Sequence, residues 1–251
     1  MNERLHGKRA LMIGAATGIG RASARAFVEA GAKVLVADIN DAESGRLAGE
    51  LGAAAACTHC DVRSEDSVVA TVAHAEERLG GLDTIICFAG LMRVGSVDAF
   101  ATATWEDVFS VNVRGTFFAA KHGAPALRRA GGGSIVTTAS LAGFRGAPGM
   151  SAYASAKGAV IAFSTTLALE LAADRIRVNC VCPGWIDTPF NNPAIALMGG
   201  PERHGEIVRG AIPLGYQGSP ADVAPTYVFL ASDESHYITA KSFMVDGGMA
   251  H

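Results

Sequence analysis

The chain has 251 residues, of which 49% are hydrophobic, and a formal net charge of −3. This length fits one large α/β domain or two small ones, and the apolar content is sufficient for a sizeable core. A weakly acidic balance without basic runs argues against nucleic acid and an anionic membrane surface as partners, and no window of about 18 uninterrupted apolar residues suggests a membrane span.

Short β-rich runs alternate with helical stretches along the chain, which is the pattern of βαβ units and a parallel sheet. Several runs are apolar without alternation, as expected for strands that helices cover on both faces. No linker or repeat interrupts the series, so we expect a single α/β domain over residues 1–251, with about seven strands in a doubly wound parallel sheet and helices on both faces. The predicted strands are 10–14, 33–38, 53–60, 84–89, 134–140, 176–182 and 242–245, and the predicted helices are 18–30, 42–51, 64–79, 105–129, 151–173 and 220–231.

A glycine-rich turn, Gly14-Ala15-Ala16-Thr17-Gly18-Ile19-Gly20, lies between the first predicted strand and the first predicted helix. Glycines permit a tight turn and let the backbone approach a pyrophosphate, which the helix N-terminus then stabilises. An acidic residue, Asp38, ends the second predicted strand. Strand, glycine turn, helix and acidic residue together indicate a Rossmann-type dinucleotide site.

The acidic residue also predicts which dinucleotide binds. A carboxylate at Asp38 accepts hydrogen bonds from the ribose hydroxyls of adenosine and repels a 2′-phosphate. No Lys or Arg occupies positions 15, 16, 17 or 39, where such a phosphate would need a positive charge. We therefore expect NAD rather than NADP as the cofactor; the alternative for Asp38 is a solvated residue at a strand end.

Tyr153 and Lys157 lie four residues apart in the fifth predicted helix. Residues at i and i+4 share a helix face. An ammonium beside the phenol would lower the pKa of the tyrosine from about 10. We therefore expect a phenol that exchanges protons near neutral pH, as carbonyl reduction or alcohol oxidation requires.

Residues 187–218 break the alternation of strands and helices, because prolines and glycines are frequent there. Long irregular insertions in compact domains are usually functional. The apolar residues Phe190, Ile195 and Met198 within the segment need something to cover. We expect a mobile substrate lid at about 187–218, the alternative being a disordered surface loop.

Five cysteines, in a chain whose first residues do not resemble a secretory signal, predict a reducing, cytoplasmic compartment and free thiols. Cys57-x-x-Cys60, with His59 between the thiols, and Cys180-x-Cys182 invite a zinc or redox interpretation. Both pairs also fit buried strands, where cysteine serves as a small apolar residue. We expect no metal site.

The sequence resembles the short-chain dehydrogenase/reductase family over its whole length. The resemblance implies an oxidoreductase that passes a hydride between a nicotinamide and a secondary alcohol or ketone, and it implies a homotetramer. Beside the glycine turn and the Tyr153/Lys157 pair, the matching positions are Asp61-Val62, Ala89-Gly90, Asn112, Ser140, Pro183-Gly184, Thr188 and Asp246-Gly247-Gly248.

The resemblance implies a role for each position. Tyr153 is the general acid/base, Lys157 lowers its pKa and binds the nicotinamide ribose, and Ser140 polarises the substrate oxygen. Asn112 binds a water in a proton path through Lys157. Ser140 and Thr188 could instead be caps, and Asn112 a structural polar residue of a helix. The implied cofactor contacts are Gly14, Thr17, Gly18, Ile19, Gly20, Asp38, Asp61, Val62, Ala89, Gly90, Tyr153, Lys157, Pro183, Gly184, Ile186 and Thr188.

Two places depart from the family pattern. Ile13 stands where the family usually has threonine, and Cys87-Phe88 stands where it has two asparagines. Losing one polar partner leaves the other unsatisfied, but replacing both with apolar groups can be nearly neutral. We therefore expect Ile13 and the Cys87-Phe88 segment to be a linked apolar substitution.

The sequence thus predicts an NAD-dependent oxidoreductase that interconverts a secondary alcohol and a ketone. One alternative is a non-catalytic NAD-binding regulator, although a regulator does not need the set of Ser140, Tyr153 and Lys157. The other is a non-redox lyase on the same scaffold, such as the halohydrin dehalogenases, which resemble this family but lack the glycine turn and carry arginine at the lysine position. The candidate substrate contacts are mostly apolar, namely Met92, Leu141, Phe144, Met150, Trp185, Phe190 and Met198, whereas Arg93, Arg145 and His204 could meet a carboxylate or sugar hydroxyls.

Overall fold

Seven parallel strands form one sheet in the computed structural model, which describes residues 3–250. The strand order is β3-β2-β1-β4-β5-β6-β7, so the chain winds outward from β1 in one direction and from β4 in the other. This doubly wound topology confirms the predicted fold class and leaves a crevice at the carboxyl ends of β1 and β4. The strands are β1 Arg9–Ile13, β2 Lys33–Asp38, β3 Ala55–His59, β4 Thr84–Cys87, β5 Gly133–Thr138, β6 Ile176–Pro183 and β7 Ser242–Val245.

Helices cover both faces of the sheet, because alternate side chains of each strand point to opposite faces. Leu11 and Ile13 of β1 pack in the apolar cluster under α3, α5 and α6, whereas Ala10 and Met12 pack in the cluster under α1, α2 and α9. Both sets are buried, which explains why the strands lack polar alternation. The helices are α1 Gly18–Glu29, α2 Asp41–Leu51, α3 Glu65–Leu79, α4 Thr102–Phe109, α5 Gly115–Arg129, α6 Ser151–Leu171, α7 Asn192–Leu197, α8 Pro201–Ala211 and α9 Pro220–Ala231.

The N-terminal ends of the helices differ in how their first N–H groups are satisfied. Asn40 accepts the N–H of Glu43 at the start of α2, and Ser64 accepts that of Ser67 at the start of α3. Thr17 precedes α1 but makes no such bond with its side chain. The first N–H groups of α1 are therefore free to bind a ligand at the carboxyl edge of the sheet.

The predicted helix over 105–129 is divided into two. It begins earlier, at Thr102, and a π-helical turn over Ser110–Arg114 separates α4 from α5. The side-chain amide of Asn112 donates to the carbonyl of Val108, the group that its own backbone N–H would bond in a regular α-helix.

The expectation of an irregular chain over 187–218 is wrong, because the segment contains α7 and α8. Some of its prolines and glycines lie at helix boundaries, whereas Gly205 and Gly210 lie inside α8 and Pro213 and Gly215 lie in the turn after it. Pro201 is the first residue of α8, where a missing N–H costs nothing, and Gly200 before it has a φ of 102°. Val208 and Ile212 are buried, so α8 packs against the body of the protein. The opening and closing of this lid stays a prediction.

Ile13 and Cys87 are register partners in β1 and β4, and both side chains belong to the same buried cluster. The side chain of Phe88 lies on the opposite face of the sheet, where its ring centroid is 4.7 Å from that of Tyr227. Only the backbone of Phe88 meets Ile13, through an N–H that donates to the Ile13 carbonyl at 2.7 Å. The apolar link therefore joins Ile13 to Cys87 and does not include the Phe88 side chain.

This contact predicts where coupling in stability will be found. Ile13→Thr and Cys87→Asn should each destabilise by about 1–3 kcal/mol, because each buries a polar group without a partner. The double variant should recover part of that loss, since the two new groups can bond across the register. Denaturant unfolding of the four proteins gives the coupling energy. The Ile13→Thr/Phe88→Asn cycle is the matched control and should be additive; additivity in both cycles would contradict the assignment.

Candidate active site

A cavity of about 940 Å³ opens where the strands end at their carboxyl edge. It extends from the glycine turn, past the ends of β1 and β4, to the start of α6. Ser140 and every residue predicted to contact the cofactor line it, which are Gly14, Thr17, Gly18, Ile19, Gly20, Asp38, Asp61, Val62, Ala89, Gly90, Tyr153, Lys157, Pro183, Gly184, Ile186 and Thr188.

The glycine turn is shaped by two close backbone approaches. A Cβ atom on Gly14, which has a φ of 79°, would lie 2.4 Å from the backbone nitrogen of Ala89. A Cβ on Gly20 would lie 2.5 Å from the Cα of Ala15. Both glycines are therefore required by geometry, and with the uncapped start of α1 they form a cradle that fits a pyrophosphate.

Asp38 is fixed at the end of β2 by two backbone N–H groups. Its carboxylate accepts from Ala16 in the glycine turn and from Asn40, each at 2.9 Å. The two bonds hold the acidic group at the cavity wall, beside the turn. This is the position in which a carboxylate can meet the hydroxyls of an adenosine ribose.

A basic residue that sequence reasoning missed, Arg63, also lines the cavity. Its guanidinium binds both carboxylate oxygens of Asp61, with Nε 3.0 Å from Oδ1 and Nη2 2.8 Å from Oδ2. This pairing holds the pKa of Asp61 below its usual range. Arg63 could have been predicted from the sequence, because a side chain only two residues after Asp61 can reach the same end of the strand.

Tyr153 is buried, with 4% of its surface exposed, and it lines the cavity with Ser140. Burial raises the pKa of Tyr153 well above 10, although hydrogen bonding by Ser140 acts in the opposite direction. The expected lowering of the tyrosine pKa is therefore wrong for this structure, because desolvation of the phenolate outweighs the attractions. Ser140 also accepts the N–H of Ala142 at 3.1 Å, so it acts as a cap while lining the site.

Lys157 lies one helical turn beyond Tyr153 and is 2% exposed. Its Nζ donates to the carbonyl of Thr138 at 2.9 Å and lies 5.7 Å from the centroid of the Tyr153 ring. Burial lowers the pKa of Lys157 to about 8. The lysine is thus oriented by the end of β5 and not by a direct bond to the phenol.

Asn112 is fully buried and lies behind the cavity wall, since it is absent from the lining. Its Nδ2 donates to the carbonyls of Leu91 and Val108, and its Oδ1 accepts the N–H of Leu91. These bonds fix the backbone next to Gly90. The water-binding role of Asn112 stays a prediction, whereas its structural role is evident.

The substrate end of the cavity is mostly apolar, and Arg93 and Arg145 lie at its wall. Phe144 does not line it and is 50% exposed. His204 is buried outside the lining with its ring 4.9 Å from that of Trp185, and its Nε2 has no hydrogen-bond partner in residues 3–250. The predicted residues that do line this end are Met92, Leu141, Met150, Trp185, Phe190 and Met198, and sequence reasoning missed Ile207, Ala211 and Met249.

The cysteines lie in apolar surroundings. Cys57 and Cys60 pack in different apolar clusters, and Cys180 and Cys182 are buried in β6 with Sγ atoms 3.9 Å apart. Within the described residues, no three side chains of His, Cys, Asp or Glu come together in a way that could hold a metal ion.

Known proteins resemble this chain along almost its whole length. The family described as enoyl-(acyl carrier protein) reductase matches residues 14–250. A 3-alpha-(or 20-beta)-hydroxysteroid dehydrogenase from Mycobacterium tuberculosis is 37% identical over 248 residues, which is 99% of this chain and 91% of the relative. A 3-oxoacyl-[acyl-carrier-protein] reductase from Thermotoga maritima is 35% identical over 249 residues, 98% of this chain and 99% of the relative.

The fold has a solved counterpart in a short-chain type dehydrogenase/reductase from Mycobacterium marinum. The TM-score is 0.91 at 35% identity, over 98% of this chain and 96% of the other. The agreement is one of overall fold, a seven-stranded parallel sheet flanked by helices. The chain therefore belongs to the short-chain dehydrogenase/reductase family of oxidoreductases, whose dehydrogenases use a nicotinamide cofactor.

Proposed function

We propose that the protein is an NAD-dependent oxidoreductase that interconverts a secondary alcohol and a ketone. One observation carries the proposal: a single cavity joins the glycine turn and Asp38 at one end to Ser140 and Tyr153 at the other. A dinucleotide needs the first end, and a reacting oxygen needs a proton donor such as the phenol at the second.

The residues present fit a nicotinamide dinucleotide. Gly90 lies on the cavity wall, and a Cβ there would be 3.5 Å from Phe190 and 3.6 Å from the Nζ of Lys157, so the missing side chain leaves room beside the lysine. The methyl group of Thr188 would lie 3.4 Å from a Cβ on Gly18, which brings the start of the lid to the glycine turn. When bound, the nicotinamide supplies the hydride acceptor or donor. Gly18, Asp38, Gly90 and Thr188 would hold the dinucleotide along its length.

The protein's own part in the reaction is to bind the substrate oxygen and move one proton. We assign both tasks to Ser140 and Tyr153, since their side chains lie together at the cavity. A phenol whose pKa is raised by burial keeps its proton at neutral pH. It can donate that proton to the oxygen of a ketone as hydride arrives at the carbon, which leaves a phenolate. Alcohol oxidation runs in reverse and needs the phenolate to accept the proton, a form that burial disfavours.

We propose a substrate with an apolar body. The methionines and aromatic residues at this end of the cavity offer no set of polar groups for sugar hydroxyls. The similarity to a relative named as a hydroxysteroid dehydrogenase favours a cyclic or aliphatic alcohol. A substrate that also carries a carboxylate is the second candidate, because Arg93 and Arg145 line the cavity and could bind that group.

The same cavity argues against the two alternative functions, a non-catalytic regulator and a non-redox lyase. A regulator that only binds NAD does not need a buried phenol beside Ser140. A non-redox lyase does not need the glycine cradle at Gly14 and Gly20. Measured hydride transfer decides between the proposal and both alternatives. The homotetramer and the cytoplasmic location stay predictions.

The proposal predicts which of the two dinucleotides binds more tightly. NAD should bind at least about tenfold more tightly than NADP, because Asp38 would face the 2′-phosphate while Arg63 is held by Asp61. Titration of the purified protein with each cofactor measures the ratio. Asp38→Asn should lower the ratio of NAD affinity to NADP affinity, because it removes the negative charge. Asp41→Asn is a matched change outside the cavity and should leave that ratio unchanged. Equal affinity, or tighter binding of NADP, would contradict the proposal.

The proposal also predicts the effect of removing the proton donor. Tyr153→Phe should lower turnover by about 10²–10⁴-fold, because only the proton-transfer group is lost, and it should leave NAD affinity nearly unchanged. The assay follows NAD reduction with a panel of alcohols, diols, sugar acids and steroids. Tyr227→Phe is the matched control, since Tyr227 is also buried but does not line the cavity, and its hydroxyl bonds to the side chain of Thr138. That variant should keep most of the turnover, and a near wild-type rate in Tyr153→Phe would refute the assignment.

A pH dependence of stability follows from the pKa of Lys157, which is lowered from 10.5 to about 8. Below about pH 8, the folded protein bears the cost of a buried ammonium. Between about pH 8 and 10.5, the folded lysine is neutral while the unfolded one is charged, so the unfolded state binds more protons and stability rises with pH.

Wild type should therefore gain stability relative to Lys157→Met as the pH increases from about 8 to 10, by up to about 1.4 kcal/mol per pH unit. Denaturant unfolding at several pH values measures the difference. Lys33→Met is the control, because Lys33 is exposed and its charge meets solvent in both states. A pH-independent difference for Lys157→Met would show that the lysine is not desolvated.

A further inference from the structure

The chain beyond β7 forms a compact turn that the proposed function does not use. We call residues 246–250 the post-β7 segment. Asp246 organises it, since its Oδ1 accepts the N–H of Gly248 at 3.0 Å and its Oδ2 accepts that of Ala250 at 2.7 Å. The same residue packs against the cofactor side, because a Cβ on Gly184 would lie 2.6 Å from the Cβ of Asp246. The segment therefore has a defined position relative to the cavity.

The post-β7 segment lies directly under the end of the lid. A Cβ on Gly247, which has a φ of 66°, would be 2.5 Å from Cγ2 of Ile212. A Cβ on Gly248 would be 3.2 Å from Pro213. The carbonyl of Gly247 accepts the N–H of Leu214 at 3.1 Å. Only a chain without side chains at these two positions can pass so close to the residues that follow α8.

Met249 of the post-β7 segment contacts both the lid and the cavity. Its side chain is 8% exposed and packs with Leu141, Val208 and Ile212 in one apolar cluster. Val208 belongs to α8, and Leu141 is the residue after Ser140. Met249 also lines the substrate end of the cavity. One side chain thus contacts the lid, the space for the substrate and the loop over residues 139–150 between β5 and α6, which we call the Ser140 loop.

Arg145 ties the segment to the Ser140 loop. Its guanidinium Nη1 donates to the backbone carbonyl of Met249, and its own N–H donates to the carbonyl of Leu141 at 2.9 Å. No carboxylate in residues 3–250 forms a salt bridge with Arg145. A hydrogen bond donated by a charged group is stronger than a neutral one, and here its acceptor is the residue that bounds the cavity.

We propose that the post-β7 segment acts as a latch, which means that it holds the end of the lid against the body of the protein. We also propose that it limits the size of the substrate. Met249 is the specificity-determining residue, because its side chain bounds the substrate end. Arg145 is a positioning residue, which acts by holding the carbonyl of Met249. The size-selection part rests on the proposed function, whereas the latch is a property of the protein alone.

Hydrogen exchange tests the latch without any need for activity. In Arg145→Met, amides of α8 and of the post-β7 segment should exchange about tenfold faster, since the bond that holds Met249 is lost. Arg145→Lys should restore part of the protection, because lysine can also donate to a carbonyl. Amides of α1 should be unchanged in both variants, and denaturant unfolding should show that the core is intact.

Arg93→Met is the matched control for exchange. Arg93 also lines the cavity, but its guanidinium bonds to the carbonyl of Met92 and not to the post-β7 segment. Loss of that charge should leave exchange in α8 as in wild type. Unchanged exchange of α8 in Arg145→Met, or an equal increase in Arg93→Met, would overturn the latch.

Steady-state kinetics with a bulky and a small secondary alcohol test size selection. Met249→Ala should raise the ratio of kcat/KM for the bulky over the small substrate by about tenfold, through KM rather than kcat. Met244→Ala, a methionine of β7 outside the cavity, should leave the ratio unchanged. An unchanged ratio in Met249→Ala refutes size selection. If wild type oxidises no alcohol and reduces no ketone, the proposed function fails, and the exchange result still decides the latch.

Discussion

The site depends on the close approach of β1 and β4 at their carboxyl ends. The carbonyl of Ile13 accepts N–H groups from both Phe88 and Ala89, and no residue with a side chain fits at Gly14, because a Cβ would meet the Ala89 backbone. The crossovers leave these strands in opposite directions, so the crevice opens where they meet. The glycine turn and the Ala89-Gly90 segment thereby become two adjoining walls of one cavity. Asn112 completes this arrangement from behind by fixing the backbone of Leu91.

Burial governs the chemistry of the two central side chains. An argument from i, i+4 spacing considers only the attraction between an ammonium and a phenolate, and predicts a lowered tyrosine pKa. In the structure both groups are desolvated, so the pKa of the phenol rises and that of the ammonium falls. The two shifts have one cause, since a low-dielectric site penalises either charge. The same exclusion of water strengthens any electrostatic contact that the cavity offers to the reacting oxygen.

Most of the fold was predictable because its signals are local. The bounds predicted for β2, β7 and α9 agree with the structure, where apolar runs end at turn residues or begin at a Ser-Pro pair. The features that the sequence did not predict depend on contacts between residues that are distant in the chain. The π-helical turn contains Asn112, whose side chain bonds to Leu91 and Val108, and no periodicity signals that contact. α8 was missed because Pro201 and Gly200 suggest a loop until they are placed at the start of a helix. Met249 joins the cavity only through the path of the chain after β7.

The cavity therefore has two halves with different origins. Residues of the cofactor half follow strand ends directly, as Gly14 follows β1 and Asp38 ends β2, so the register of the sheet determines their positions. The substrate half is lined by residues on either side of α7, by α8, by the Ser140 loop and by the post-β7 segment, which are not joined to one another by a strand ladder. Their relative positions depend on side-chain packing around Leu141 and Met249 and on single bonds such as that of Arg145. Changes there can alter the space for a substrate without disturbing the sheet, and for this reason motif order predicts the cofactor class far better than the substrate.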